Sequence, residues 1–111
     1  MSTPVSTRPT YRLGPVGQIP FGEGRAFAAG SEQVAVFRLR DGSLRAVSAV
    51  CPHRGGPIAD GQIDNNVVLC PLHLNAFRLD NGCSLTGEAP LRTYAVEVDP
   101  DGYVVLTLPP A

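Results

Sequence analysis

The sequence predicts a small all-β protein, and three observations support this prediction. The 111 residues include 12 Gly and 11 Pro, a composition rich in turn formers, and only 17% are charged. Apolar residues occur in short β-branched or alternating runs that Gly, Pro, Asn and Asp separate. No segment shows helical periodicity over a useful length. A chain of this length buries roughly 65% of its unfolded surface, so we expect one antiparallel sandwich or barrel.

The first hairpin is expected after a loose N-terminal arm. Residues 1–10 contain Ser, Thr and Pro and almost nothing to bury, so we assign them to a flexible arm and residues 11–111 to a single domain. The runs VAVFRL and LRAVSAV flank Asp41-Gly42, a dipeptide that favours tight turns. The second of these runs leads directly to Cys51.

Further pairs of apolar runs continue this pattern to the C-terminus. The runs QI and VVL flank the turn formers DNN, so a second hairpin is expected to lead to Cys70. AFRL and CSL flank DNG, and TYAVEV and YVVLTL flank DPDG. The alternation in TYAVEV places Tyr94, Val96 and Val98 on one face.

Charge and composition exclude several classes of partner. The nine basic residues are all Arg and stand against ten acidic residues, with no basic run that would indicate a nucleic-acid or membrane-surface site. The first residues lack the pattern of a signal peptide, and no stretch of about 18 apolar residues occurs. We expect a cytoplasmic protein with no nucleic-acid and no membrane partner.

The candidate site is the pattern Cys51-x-His53, sixteen residues, and Cys70-x-x-His73, which contains two of the three cysteines and both histidines. Each Cys and His pair is expected on a loop beyond a strand. Thiolate and imidazole are natural ligands for zinc and iron, and two short loops can bring four such groups together. The pattern therefore predicts a metal centre.

Two other interpretations fit the spacing less well. A zinc finger places a Cys-x-x-Cys pair before a His pair on a helix, whereas here Cys and His alternate, and Pro52 and Pro71 disfavour a helix. A catalytic Cys and His pair needs one thiol and one base rather than two matched sets on two loops.

The pattern resembles that of Rieske [2Fe-2S] proteins, whose ligands are Cys-x-His and, about fifteen to seventeen residues later, Cys-x-x-His. The resemblance implies a Rieske-type sandwich or barrel with a cluster-binding subdomain of two loops. It also implies that Cys51 and Cys70 bind one iron, and that His53 and His73 bind the other. Gly55-Gly56-Pro57 would let the backbone pass close to the cluster.

The resemblance extends from about Val47 to Leu108 and is nearest to the small subunit of assimilatory nitrite reductases. Two positions depart from the usual pattern. The Gly that commonly follows the second His is Leu74 here, and an Asp that often follows the loop aromatic is Arg78. These departures concern the subfamily and leave the ligands unchanged.

The cluster implies one-electron transfer without a substrate site of its own, so the protein is an oxidoreductase only as part of a complex. A catalytic oxygenase subunit needs two more His, which this sequence lacks. High-potential Rieske proteins have disulfide cysteines where this chain has Gly56 and Leu72. The favoured role is the small subunit of an assimilatory NAD(P)H-dependent nitrite reductase, with its large subunit as partner. The alternative is a free Rieske-type ferredoxin between a reductase and a ring-hydroxylating oxygenase.

The sequence also supports predictions for several residues near the ligands. Cys83 is expected to be a small buried residue rather than a redox group. Arg54, Leu72 and Leu74 either form a docking surface beside the exposed histidines or pack as ordinary loop residues. High-potential relatives have Ser and Tyr donors to sulfur where this chain has Asn75 and Phe77, so we expect a low reduction potential.

Overall fold

The computed structural model describes residues 10–30, 32–49, 58–64, 66–70, 76–87 and 89–107. The strands are β1 (Thr10–Pro15), β2 (Glu23–Ala29), β3 (Glu32–Arg38), β4 (Leu44–Ser48), β5 (Gln62–Asp64), β6 (Val67–Leu69), β7 (Ala76–Arg78), β8 (Thr93–Val98) and β9 (Tyr103–Thr107). Within these residues the only helices are two short 3-10 turns, at Val16–Gln18 and Ile58–Asp60. The all-β prediction is confirmed.

The strands form two antiparallel sheets. The larger has the order β1-β9-β8-β4-β3-β2, and its end strands β1 and β2 contact each other, so it curls into a nearly closed barrel. The smaller has the order β5-β6-β7. The two predicted ligand loops follow β4 in the larger sheet and β6 in the smaller one, so each sheet carries one loop.

The first predicted hairpin is confirmed by its hydrogen bonds. Arg38 pairs with Leu44, and the Leu39 N–H donates to the Ser43 carbonyl oxygen at 2.8 Å. Gly42 has a φ of 91°, which other residues rarely adopt. The Asp41 carboxylate accepts hydrogen bonds from the Ser43 hydroxyl and N–H, which lower the pKa of Asp41. The second hairpin, β5 to β6, is also present.

Two strands were not predicted, and one predicted strand is reduced to a single bridge. β2 is EGRAFAA and shows no alternating pattern, and β1 alternates polar and apolar residues only from Thr10 to Leu13. Their pairing with neighbouring strands decides their conformation. The run CSL contributes only the bridge between Phe77 and Ser84. Residues 1–9 of the predicted arm lie outside the described residues, and β1 begins at Thr10.

Strand β3 lies between two hydrophobic cores, because its alternate residues point to opposite faces. Val34 and Val36 belong to the core inside the barrel, whereas Ala35 and Phe37 belong to a second core against the smaller sheet. All four side chains are fully buried. This burial on both faces explains the continuous apolar run VAVF, and it joins the smaller sheet to the barrel.

Candidate metal centre

The segment that carries Cys51 and His53 begins and ends at one point of the fold. β4 ends at Ser48, and the N–H of Ile58 donates to the carbonyl oxygen of Ala49 at 2.9 Å. The two ends of the segment 50–57 are therefore held together at the end of β4. Ala49 and Ile58 are both buried, so the base of this first loop is part of the second core.

The second loop is closed by the pairing of β6 with β7. Leu69 pairs with Ala76, so the chain leaves β6 at Cys70 and returns within a few residues. Cys70 is fully buried, and Phe77 beside it in the core is also fully buried. His73 lies in this loop, outside the described residues.

A shared core brings the bases of the two loops together. Ala49 and Ile58 from the first loop lie in the same buried cluster as Cys70 and Phe77 from the second. Gly61 allows the bases of the two loops to pack closely. A Cβ at this position would meet the carbonyl oxygen of Leu69, so only glycine fits there without a shift. The fold therefore places the bases of both ligand loops in one core.

A third segment, which the sequence pattern did not predict to be near the site, lies beside the start of β7. The N–H of Leu85 donates to the carbonyl oxygen of Ala76 at 2.8 Å, and the Ala76 N–H donates to Thr86 Oγ1 at 3.4 Å. Gly82 permits this course, with a φ of 77° and a position where a Cβ would meet the Leu91 carbonyl. The turn formers Asn81-Gly82 signal the bend but not where it leads.

A polar network holds β4, β8 and the start of β3 together below the first loop. Glu32 Oε1 accepts hydrogen bonds from the Tyr94 hydroxyl at 2.8 Å and from Arg92 at 3.0 Å. The Ser48 N–H donates to the Arg92 carbonyl oxygen at 3.0 Å. Burial, and then the hydrogen bond to Glu32, raise the pKa of Tyr94 above its usual value. This network anchors the end of β4 close to Cys51 in the chain.

The four predicted ligands are only partly within the described residues. Cys70 is placed as expected, at the end of β6, whereas Cys51, His53 and His73 lie outside the described part of the chain. Those residues that are described contain no group of three or more potential metal ligands. The donor set of two thiols and two imidazoles, on two closed loops with a common buried base, fits a Rieske cluster.

The structure also places two residues near the site, Cys83 and Arg78. The expectation that Cys83 is buried is wrong: it follows the Asn81-Gly82 turn and is exposed, because CSL forms one bridge rather than a strand inside the sheet. Arg78, which departs from the Rieske pattern, pairs with Asp80 at 2.8 Å. This pair raises the pKa of Arg78 and lowers that of Asp80. The candidate docking residues Arg54, Leu72 and Leu74 lie outside the described residues.

Comparison with known protein families agrees with this geometry. The Rieske [2Fe-2S] domain matches residues 10–95, which include both loops and most of the strands. The chain belongs to the Rieske [2Fe-2S] family. Its cofactor is a Rieske-type [2Fe-2S] cluster, and the chemistry that this cluster supplies is transfer of one electron at a time.

Relatives of this Rieske protein include small electron-transfer proteins. It is 32% identical over 91 residues to the ferredoxin subunit of anthranilate 1,2-dioxygenase from Burkholderia cepacia, covering 79% of this chain and 82% of that subunit. The chain also matches longer proteins, among them oxygenase components, of which it spans 13% to 18% of the length.

Solved structures of two kinds share the whole fold of this Rieske protein. One is described as an NADH-dependent nitrite reductase small subunit from Mycobacterium tuberculosis: TM-score 0.88, 26% identity, 96% of this chain and 100% of that one. The other is the ferredoxin of carbazole 1,9a-dioxygenase from Nocardioides aromaticivorans: TM-score 0.78, 30% identity, 90% and 97% coverage. The described helices of the present chain are all too short to span a membrane.

Proposed function

We propose that this Rieske protein is the small, electron-transferring subunit of an assimilatory NAD(P)H-dependent nitrite reductase and acts in the cytoplasm with the large subunit as its partner. The observation that carries this proposal is the agreement in fold over nearly the whole of both chains. The overlap with the nitrite reductase small subunit covers 96% of this chain and 100% of the other at a TM-score of 0.88. The protein has no substrate site of its own under this proposal.

Cys51, His53, Cys70 and His73 hold the cluster in this proposal. Cys51 and Cys70 bind one iron, and His53 and His73 bind the other, as in the family pattern. The described residues show how the chain supports these ligands. Cys70 is buried, which keeps water away from its sulfur, and the Ala49 to Ile58 hydrogen bond closes the loop that carries the first pair. The protein thus orients the ligands and controls solvent access.

Reconstitution with the large subunit of an NAD(P)H-dependent nitrite reductase tests the proposal. We expect the two proteins to co-purify, and NAD(P)H-dependent nitrite reduction to rise when the wild-type protein is added. The Cys70→Ser variant should not support this activity, while Cys83→Ser, which changes an exposed cysteine, should support it fully. A large subunit that neither binds the protein nor responds to it would disprove the proposed role.

A second function is supported by sequence identity. The anthranilate dioxygenase ferredoxin subunit is 32% identical, and the carbazole dioxygenase ferredoxin is 30% identical, compared with 26% for the nitrite reductase small subunit. The alternative is therefore a free ferredoxin that carries electrons from a reductase to an oxygenase. Replacing the native ferredoxin in a reconstituted ring-hydroxylating dioxygenase tests it. Product formation there, together with failure in the nitrite reductase assay, would favour the alternative.

A further inference from the structure

The arginines of the described residues fall into two groups. Of the chain's nine arginines, Arg8 and Arg54 lie outside these residues. Four of the others form ion pairs with carboxylates: Arg12, Arg25, Arg78 and Arg92. The remaining three form no ion pair within the described part of the chain, and they lie on β3, on β4 or in the turn between them: Arg38, Arg40 and Arg45.

Two of these unpaired arginines line the same cavity. It has a volume of about 580 Å³, and we name it the arginine groove; it is lined mainly by Gly22, Leu39, Arg40, Arg45, Ile63 and Asn66. Asp41 is also at its wall, but its carboxylate already accepts two hydrogen bonds from Ser43. Arg45 donates to the Leu44 carbonyl oxygen at 3.0 Å, and Arg40 forms no ion pair within the described part of the chain. The Asp41 carboxylate is also attracted to Arg45, so the groove has two arginines against one carboxylate and an excess of one positive charge among its described lining residues.

The groove lies at the end of the fold opposite the cluster loops. Arg40 is in the turn before β4, whereas the first loop follows β4 at its other end. Asn66 precedes β6, whereas Cys70 follows it. Because each strand separates one wall of the groove from one ligand loop, a partner bound here leaves the cluster end accessible.

The shape and surroundings of the groove suit an extended peptide. A second cavity of about 490 Å³ continues from it past Gly22, Arg40 and Ile63, and runs beside β5. β5 is the end strand of the smaller sheet, where a further extended segment can pair. Two acidic residues, Glu23 and Asp60, and two arginines line this second cavity, so its formal charges balance, whereas the arginine groove has an excess of one positive charge.

Two further features favour a protein partner over a small anion. Phe21 is 54% exposed beside the turn, and the Arg38 guanidinium lies 3.9 Å from the centroid of its ring, which holds the aromatic side chain in place. Exposed aromatic anchors are typical of protein interfaces. The Asn66 side-chain oxygen is buried and has no hydrogen-bond donor among the described residues, so rotation of this side chain would offer an acceptor to a peptide N–H.

We propose that the arginine groove binds an extended acidic segment of the protein's redox partner. One carboxylate of that segment pairs with Arg40 and Arg45, its apolar side chains contact Leu39 and Ile63, and its backbone continues along β5. The partner's carboxylate is then held at the end of β4 away from Cys51, while its backbone continues along β5 towards Gly61. The inference holds for either of the two partners considered above, because it depends only on the charge and shape of this surface.

Binding of a defined peptide to the cluster-loaded protein tests the inference. The probe is a fluorescein-labelled peptide of alternating Glu and Leu, and its binding is followed by fluorescence anisotropy. Matched peptides carry Gln or Lys in place of Glu. We expect saturable binding of the Glu peptide alone, with affinity reduced about tenfold in Arg40→Gln and in Arg45→Gln. Arg12→Gln, which changes an exposed arginine on β1, should bind like the wild type.

The possible outcomes separate a peptide site from other surfaces. The visible spectrum of each variant shows that it folds and retains its cluster. Absence of saturable binding, equal binding of the Gln or Lys peptide, or unchanged affinity in both groove variants would each overturn the inference. Complete displacement of the Glu peptide by millimolar inorganic phosphate would also overturn it, since the groove would then be a site for small anions.

Discussion

The N–H of Ile58 donates to the carbonyl oxygen of Ala49 at 2.9 Å, and this hydrogen bond joins the two ends of the segment that carries Cys51 and His53. Ile58 is fully buried in the core that also contains Cys70. The first ligand pair is therefore attached to the same buried support as the second. Closing both loops in the folded protein reduces the entropy that the cluster must overcome when it orders its ligands.

The ligand assignment predicts the metal content. The purified protein should contain about two irons and about two labile sulfides per chain. Cys70→Ala should abolish the visible absorption of the cluster, because one iron loses a ligand. Cys83→Ala is the matched control: Cys83 is exposed, so this variant should retain its iron and its spectrum. Iron and sulfide analysis makes the measurement, and a single zinc without sulfide would contradict the assignment.

Position 77 holds Phe, where high-potential Rieske proteins have a Tyr whose hydroxyl donates to sulfur. We therefore predict a low reduction potential for the cluster. Phe77 is fully buried in the core that contains Cys70. In Phe77→Tyr, a hydroxyl that donates to sulfur stabilises the reduced form more than the oxidised form. A difference of about 1 kcal/mol raises the potential by roughly 40 mV, on the scale where about 59 mV is a tenfold change.

Protein-film voltammetry on the wild type and two variants measures this effect. Phe77→Leu is the control, because it changes the packing without adding a donor, and its potential should remain close to that of the wild type. The family's potentials range from about −150 to +300 mV, and we expect the wild type in the lower part. A wild-type potential above about +150 mV would show that other donors determine it.

Gly61 is predicted to be essential to the support of the loops. In Gly61→Ala the new Cβ would meet the Leu69 carbonyl oxygen and lie 2.8 Å from Val68 Cγ2, so the smaller sheet must shift. We expect a loss of about 1–3 kcal/mol in the free energy of unfolding. Gly17→Ala is the control, since a Cβ there has no neighbour within 4 Å. Chemical denaturation followed by circular dichroism should separate the two, and equal stabilities would contradict the packing argument.

The buried hydroxyl of Tyr94 predicts a pH-dependent contribution to stability. Burial and the hydrogen bond to Glu32 raise the pKa of Tyr94 above its usual value of 10.0. The unfolded chain therefore loses this proton first as the pH rises. The stabilisation is complete below about pH 10 and is lost as the pH rises through the folded pKa.

Tyr94→Phe removes this contribution. We expect the variant to be less stable than the wild type by about 1 kcal/mol at neutral pH, with the difference decreasing above about pH 10. Denaturation curves at several pH values measure it. Tyr103→Phe is the control. The Tyr103 ring contacts the Arg12 guanidinium, and its hydroxyl forms no hydrogen bond to the described residues, so its removal should not change stability with pH. A constant difference between Tyr94→Phe and wild type at all pH values would contradict the assignment.

The sequence by itself determined the features that depend on local chemistry. The tight turn at Asp41-Gly42 follows from the left-handed conformation that Gly42 adopts. The pairing of β5 with β6 follows from the turn formers that separate the two runs. The spacing of Cys51, His53, Cys70 and His73 indicates the cluster, because the chemistry of a metal site is expressed in its ligand types. The placement of three of these ligands remains a prediction, since they lie outside the described residues.

Only the tertiary structure decided the features that depend on distant contacts. β2 has no alternating pattern and becomes a strand because β3 pairs with it, and the short alternation of β1 forms a strand where β9 pairs with it. Cys83 is exposed because its run forms a single bridge, and Leu85 lies beside the second loop because Gly82 turns the chain there. The bases of the two loops meet because Ala49, Ile58 and Cys70 share one core. These arrangements join residues far apart in the chain, so their energy comes from packing and strand pairing that no local sequence pattern expresses.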